Sequence, residues 1–142
     1  MTRRAGPRPM AARKKTDRPA ARKVPRNRSL LIMIAGPYSA GGADAARRAE
    51  NLAALNRAAA AVFDKGHIPV IGVNNALPVI EAAGQNRFDE MMMPMSLALA
   101  DRCDACLRVG GASDGADREA DRFRQSGKPV YTDIGQIEEV AR

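Results

Sequence analysis

Residues 30–35 form an uninterrupted apolar run, Leu-Leu-Ile-Met-Ile-Ala, which Gly36 and Pro37 bring to an end. The run has the length of one β-strand, and it lacks the alternation of polar and apolar residues that a half-exposed strand shows. Strands without that alternation are typical of parallel sheets, in which helices cover both faces. This segment therefore favours an α/β architecture over an all-β or all-α one.

The order of the later segments agrees with a parallel sheet. Residues 74–84 are expected to form a loop with a short helix. Strands that alternate with helices predict an α/β fold with a small doubly wound (Rossmann-like or flavodoxin-like) parallel sheet of about four to five strands flanked by helices. The other predicted strands are 67–71, 104–109 and 128–133, and the predicted helices are 44–65, 87–100, 116–125 and 136–142.

The basic charge of the chain is confined to its N-terminal segment. Residues 1–28 contain eleven Lys or Arg and one acidic residue, whereas residues 29–142 contain 12 basic and 15 acidic residues. Residues 1–28 also hold four prolines and very few large apolar residues, so we expect a disordered tail in front of one folded domain, 29–142. The tail could bind RNA, DNA or an anionic membrane surface, or it could be a solvated extension without a partner.

The sequence predicts a cytoplasmic protein without metal or cofactor. No apolar segment reaches the roughly 18 residues of a membrane span, and no signal-peptide core follows the first residues. Cys103 and Cys106 form half of a zinc site, which His67, the only histidine, does not complete. We expect both thiols to be buried, reduced and structural, in keeping with a reducing compartment.

Two loops that follow predicted strands, 36–42 and 110–115, are rich in small and glycine residues. Ligands of doubly wound folds bind beyond the carboxyl ends of the strands, so these loops form the candidate site. In the first loop, glycine N–H groups could approach a phosphate or sugar and Ser39 adds a hydroxyl, although an ordinary strand-to-helix turn has the same composition. The candidate binding residues of this loop are Gly36, Tyr38, Ser39, Gly41 and Gly42.

The second loop leads from Ser113 and Gly115 into a helix that carries Glu119. Helical side chains lean toward the N-terminus, so this carboxylate would lie near the backbone donors at the strand end. There it could attack an electrophilic carbon or stabilise positive charge. A glutamate on a charged helix is more commonly a surface residue, and both interpretations stay open at this point.

Several short motifs occur together in an order that resembles a known family. The chain resembles the nucleoside 2-deoxyribosyltransferase superfamily, which includes deoxyribonucleoside 5′-monophosphate N-glycosidases, over about residues 30–134. The motifs are Ile34-Ala35-Gly36-Pro37-Tyr38-Ser39, then Cys103-Asp104-Ala105, then Ser113-x-Gly115-Ala116-x-x-Glu119, and finally Gly127-Lys128-Pro129-Val130.

The resemblance implies an enzyme that cleaves or transfers an N-glycosidic bond. Glu119 stands where the family has the nucleophile that attacks C1′ of the (deoxy)ribose and displaces the base. Ser113 stands six residues earlier, where the monophosphate hydrolases have a phosphate-binding serine. Ser39 and the backbone of Gly41 and Gly42 would complete the phosphate site, and Tyr38 would line the sugar or base.

The chain departs from the family at the second acid. The family's position for that acid corresponds to about Ser96, which cannot serve as one. Asp89 lies seven residues earlier on roughly the same helical face and is the best substitute, followed by Glu90. The methionine-rich segment 91–95 could be ordinary core packing, or it could be a mobile cover or a subunit interface. The resemblance implies a homo-oligomer, because the family tends to complete its pockets across subunit contacts.

Three functions are compatible with these observations. The first is an N-glycosidase or deoxyribosyltransferase-like enzyme that acts on a nucleoside or nucleotide. The second is a catalytically silent nucleotide-binding sensor with the same fold, which the missing acid favours. The third is a nucleic-acid-associated protein that binds through residues 1–28.

Overall fold

The computed structural model describes residues 28–141. This part of the chain has four strands and four α-helices, and two of the helices follow one another between the second and third strands. One 3-10 turn lies at Gln85–Arg87 and another at Ile134–Gln136. The elements in chain order are β1 (Leu31–Ala35), α1 (Ala45–Asp64), β2 (Ile68–Val70), α2 (Gly72–Ala83), α3 (Phe88–Ala100), β3 (Ala105–Arg108), α4 (Asp114–Gln125) and β4 (Val130–Tyr131).

The four strands form one parallel sheet in the order β2-β1-β3-β4. In the register of the central pair, Ile34 lies opposite Leu107, and on the other side of β1, Met33 lies opposite Val70. From β1 the chain adds β2 on one side, and it then crosses to the other side of β1 to add β3 and β4. The direction in which strands are added therefore reverses between β1 and β3. The predicted fold class, a small doubly wound α/β sheet, is confirmed.

Alternate side chains of β1 enter two separate cores. Ile32 and Ile34 pack with Leu55 and Val62 of α1 on one face of the sheet. Met33 and Ala35 pack on the other face, together with Cys106 of β3 and the inner residues of α3 and α4. Because both faces are covered, a strand without polar alternation is the expected consequence of this packing.

Helix α1 has nearly the predicted bounds, since the Asp44 side chain caps its N-terminus by accepting a hydrogen bond from the Arg47 N–H at 2.8 Å. Residues 74–84, by contrast, are not mainly a loop. They belong to α2, whose apolar residues Ala76 and Ile80 pack against Met92 of α3. Pro78 is exposed and removes only one helical hydrogen bond, so the packing outweighs the proline.

The helix predicted over 136–142 is wrong for the residues that the structure describes. Ile137 is buried in the α1-side core, and residues 138–141 have no regular secondary structure. The Glu138 carbonyl accepts a hydrogen bond from His67 Nε2 at 2.7 Å, and the Val140 N–H donates to the Lys65 carbonyl at 2.8 Å. These long-range bonds use the backbone groups that a helix would need for itself.

The predicted tail of residues 1–28 lies outside the described residues except for Arg28. The Arg28 guanidinium forms an ion pair with Asp104 at 3.0 Å, so Arg28 contacts the folded domain. None of the helices between residues 28 and 141 is long and apolar enough to cross a membrane.

Candidate functional site

A cavity of about 380 Å³ opens at the carboxyl ends of β1 and β3, where the strand order reverses. The β1–α1 loop, the β3–α4 loop with the start of α4, and one side of α3 form its walls. This is where ligands bind in doubly wound folds. Seven of the sequence-predicted site residues line it: Gly36, Tyr38, Ser39, Gly41, Ser113, Gly115 and Glu119.

Two predicted site residues do not line the cavity. Gly42 is exposed next to the lining residue Gly41. Asp89 is exposed in the first turn of α3, next to Phe88, which does line the cavity. Glu90, the second substitute for the missing acid, is exposed and forms an ion pair with Arg87 at 3.0 Å.

Glu119 is only 7% exposed, although it belongs to the most strongly charged helix within residues 28–141. Its carboxylate forms no hydrogen bond within residues 28–141. Every side-chain oxygen of this part of the chain that is fully closed off from solvent has a hydrogen-bond partner, so the Glu119 oxygens are not fully closed off. The carboxylate oxygens therefore open onto the cavity that Glu119 lines. Burial raises the pKa of this carboxyl to about 7, and the positive charge of Arg108 opposes the increase.

Arg108 is a positioning residue that the sequence analysis missed. Its guanidinium donates hydrogen bonds to the Val109 carbonyl at 2.5 Å and the Gly111 carbonyl at 2.8 Å, and it pairs with Asp117 of α4 at 3.1 Å. These contacts tie the β3–α4 loop to the start of α4. An arginine at the end of an apolar strand, directly before a glycine loop, was the available signal.

The N-terminus of α4 presents unpaired backbone donors to the cavity. Ser113 is the N-cap, and its Oγ accepts a hydrogen bond from the Ala116 N–H at 3.2 Å. The N–H groups of Asp114 and Gly115 have no acceptor among residues 28–141. Free N–H groups and the helix dipole make this end suitable for an anion. The Ser113 hydroxyl can still donate its own hydrogen to such a ligand.

The β1–α1 loop forms the opposite wall of the cavity. Asn51 of α1 holds this loop by donating a hydrogen bond to the Tyr38 carbonyl at 2.8 Å. Gly41 and Gly42 both have φ of +69°, a conformation that residues with a Cβ rarely adopt. The N–H groups of both glycines also lack acceptors among the described residues, so Gly41 adds a free donor to the lining.

An apolar wall completes the cavity. The rings of Tyr38 and Phe88 stack with their centroids 6.4 Å apart and an interplanar angle of 24°. Met92 and Met93 of α3 and Val73 of α2 extend this surface. Sequence reasoning did not identify Phe88 or Val73, because only the packing of α2 against α3 brings them to the ends of β1 and β3.

Ser96 lines the cavity at the position where the family resemblance places a second acid. It is 1% exposed, and its hydroxyl has only the Met92 sulfur as a hydrogen-bond partner among the described residues, at 3.9 Å. The carboxylates that line the cavity are Glu119 and Asp114, the latter exposed at the rim.

The two cysteines lie away from this cavity in the core between the sheet and helices α3 and α4. Their predicted burial is confirmed, and it raises the pKa of Cys103 to about 11 and that of Cys106 to about 12. Among residues 28–141 no group of three or more His, Cys, Asp or Glu side chains is arranged to hold a metal ion.

Comparisons of the chain with protein-family models, with curated proteins and with solved structures found no match. The chemistry of the cavity is therefore inferred from the residues that line it.

Proposed function

We propose that this cavity binds a nucleoside 5′-monophosphate and cleaves or transfers its N-glycosidic bond, with Glu119 as the nucleophile. The observation that supports this most strongly is the buried Glu119 carboxylate, which has no hydrogen-bond partner among the described residues and opens onto the cavity. A carboxyl group whose charged form is destabilised by partial desolvation and whose oxygens still open onto a cavity is typical of functional sites.

The distribution of donors fits the parts of a nucleotide. The phosphate would accept hydrogen bonds from the N–H groups of Asp114, Gly115 and Gly41, and from the Ser113 hydroxyl. Five residues of helix separate Asp114 from Glu119, a rise of about 7 Å along the axis. The Glu119 side chain leans back toward the helix N-terminus, so a pentose can bridge the two positions. The base would then lie against Tyr38 and Phe88.

The reaction follows from this placement. A Glu119 oxygen attacks C1′, the bond from C1′ to the base nitrogen breaks, and its electron pair leaves with the base. The negative carboxylate also stabilises the positive charge that develops on the sugar in the transition state. Water or a second base then displaces Glu119 from C1′. We assign no role to Asp89, because it is exposed and lies outside the lining.

A second candidate function is nucleotide binding without catalysis. Ser96 favours it, because a serine stands where the family resemblance places an acid. Both functions use the same cavity and the same phosphate donors, so only the chemical step distinguishes them.

The test is to incubate the protein with nucleosides and their 5′-monophosphates and to measure the free base by chromatography. Glu119→Gln should lower release by at least about 1000-fold, because it removes the nucleophile, while calorimetry still detects ligand binding. Glu139→Gln, at an exposed glutamate far from the cavity in sequence, is the matched control and should retain activity. Undiminished release by Glu119→Gln contradicts the mechanism, and binding without release by the wild type favours the sensor.

Two variants of Ser113 test the phosphate site. Ser113→Ala loses both the helix cap and the hydroxyl, at about 1 kcal/mol of stability. Ser113→Asp keeps a good N-cap and adds a negative charge beside the phosphate. We expect both variants to raise KM for monophosphates, Ser113→Asp more strongly, with KM for nucleosides unchanged. If the wild type processes nucleosides as well as monophosphates, the phosphate assignment is wrong.

A further inference from the structure

The ionisable side chains around the cavity favour a positively charged ligand group. Glu119 and Asp114 are both carboxylates, and no Lys, Arg or His is among the described residues that line the cavity. Arg108, which affects the Glu119 carboxyl electrostatically, is outside the lining and is already bonded to Asp117 and two loop carbonyls. Only backbone donors and hydroxyls are therefore available for a phosphate, and the remaining charge of the cavity attracts a cation.

The apolar wall suits an aromatic cation. Tyr38 and Phe88 both line the cavity, and the faces of aromatic rings attract cations. The thioethers of Met92 and Met93 line the cavity beside these rings, and sulfur makes favourable contacts with the edges of an aromatic ligand.

Ser96 limits the kind of base that can leave. A neutral purine or pyrimidine departs with the electron pair of the glycosidic bond and needs a proton from a general acid. Ser96 is a neutral hydroxyl, buried against α2 and bonded to the Met92 sulfur, so it cannot serve as that acid. Asp114, the other carboxylate of the lining besides Glu119, is exposed at the rim beside the proposed phosphate site and is assigned no contact with the base. A base that already carries a positive charge needs no such proton, because the departing electron pair neutralises it.

We infer, building on the function proposed above, that the substrate is a nucleotide whose base is a cationic aromatic nitrogen heterocycle, such as an N-ribosyl pyridinium or an N7-alkylated purine. The Glu119 carboxylate forms a bond to C1′, the bond from C1′ to nitrogen breaks, and the electron pair leaves a neutral base. Water then attacks C1′, the bond to Glu119 breaks, and one proton passes to solvent for each base released.

The test compares cationic and neutral partners on the same sugar phosphate. One pair is nicotinamide mononucleotide and its reduced, neutral dihydropyridine form. The other is 7-methylguanosine 5′-monophosphate and guanosine 5′-monophosphate. We expect kcat/KM for each cationic member to exceed that of its neutral partner by on the order of 100-fold, which is the contribution of a general acid that the cation makes unnecessary. Of the two cationic compounds, the one with the larger kcat/KM identifies the class of base that the enzyme prefers.

Binding to Glu119→Gln separates recognition from intrinsic reactivity, because this variant lacks the nucleophile and its charge but keeps Asp114 and the aromatic residues of the lining. The cationic member of each pair should bind more tightly than the neutral one, and adding Phe88→Leu should reduce that preference by about tenfold, since it removes an aromatic face. Phe63→Leu, on α1 and outside the cavity lining, is the matched control and should leave the preference unchanged.

The outcomes separate this inference from the proposed function. If neutral and cationic partners are cleaved equally well, or if Glu119→Gln binds them equally, the inference on the base is overturned and N-glycosidic cleavage stands. If no member of either pair, nor any nucleotide of the wider panel, releases base, the proposed function fails and the inference fails with it.

Discussion

Glu119 lies on a helix whose other acidic residues, Asp114, Asp117 and Asp121, are all exposed. Glu119 lies on the buried face of this helix, next to Ala116, Ala120 and Phe123, which pack into the core beside the sheet. Burial without a hydrogen-bond partner among the described residues destabilises the charged form of the carboxyl. At the level of single residues, the fold therefore tolerates a local cost in stability, which is common at functional sites.

The stability of the protein should depend on pH through Glu119. Its pKa is raised from 4.5 to about 7 in the folded state, so the folded protein binds this proton more tightly than the unfolded chain does. The associated stability is present below pH 4.5 and is lost as the pH rises through 7. Glu119→Gln should therefore increase the free energy of unfolding at pH 8 by on the order of 3 kcal/mol, with a much smaller increase at pH 5.

Urea denaturation of wild type and Glu119→Gln at the two pH values measures this difference, with Glu139→Gln as the exposed control. An equal effect of Glu119→Gln at both pH values would show that the carboxyl is not buried in the folded protein.

The same group determines the expected pH dependence of activity. A nucleophilic carboxylate must be ionised, so kcat/KM should rise with pH up to about 7 and then level off. Arg108→Gln removes a charge that lowers the pKa of Glu119 and should shift the inflection to higher pH, whereas Arg108→Lys keeps the charge and should not. A rate that falls as the pH rises through 7 would instead identify Glu119 as a proton donor and contradict its role as nucleophile.

At the level of secondary-structure elements, the cavity depends on how closely α1 and β3 approach the end of β1. Gly36 occupies this junction, and a Cβ at this position would lie 2.7 Å from Leu55 Cδ2 and 2.9 Å from the Val109 carbonyl oxygen. The absence of a side chain at residue 36 lets the three elements meet, and it places the β1–α1 and β3–α4 loops on either side of one cavity.

Gly36→Ala should destabilise the protein by about 1–3 kcal/mol, because the new methyl group meets backbone that cannot move away easily. Gly111→Ala is the matched control, since a Cβ at this position has no atom within 4 Å, and its effect should be close to zero. Chemical denaturation of the two variants measures the difference. Equal stability of both variants would show that Leu55 and Val109 do not pack closely enough against residue 36 to exclude a methyl group.

At the level of the whole molecule, the charge is divided between two parts of the chain. Residues 1–27 contain ten Lys or Arg and lie outside the described residues. The buried apolar residues of the described part all lie between Leu30 and Ile137. The two parts of the chain therefore differ in charge, and we hypothesise that they have separate functions.

Deletion of residues 1–27 should leave the melting temperature unchanged while it abolishes binding to RNA or DNA at low ionic strength. The truncated chain keeps Arg28 and its ion pair with Asp104. Binding of the full chain should weaken steeply as the salt concentration rises, because phosphate contacts release counterions. Filter binding over a salt series, with both chains, measures this effect. Nucleic-acid binding that persists after the deletion would assign it to the folded part.

Much of the sheet and part of the candidate site could be predicted from local sequence alone. The apolar run at 30–35 and its counterparts have the length and composition of buried strands whatever the rest of the chain does. Since the carboxyl ends of parallel strands share one edge, the loops that hold Ser39 and Ser113 could be placed together before any contact was known. The carboxyl of Glu119 could be placed near that edge for the same reason.

Only the tertiary structure decided which other groups reach the cavity and how they behave there. Phe88 and Ser96 reach it because α3 packs beside the sheet and against α2. Residues 137–141 do not form a helix because His67 and Lys65, far away in sequence, bind their backbone. The pKa of Glu119 likewise depends on desolvation by residues from several elements. Local patterns record the preferences of short segments, whereas burial and long-range hydrogen bonds are collective properties that exist only once the segments have packed together.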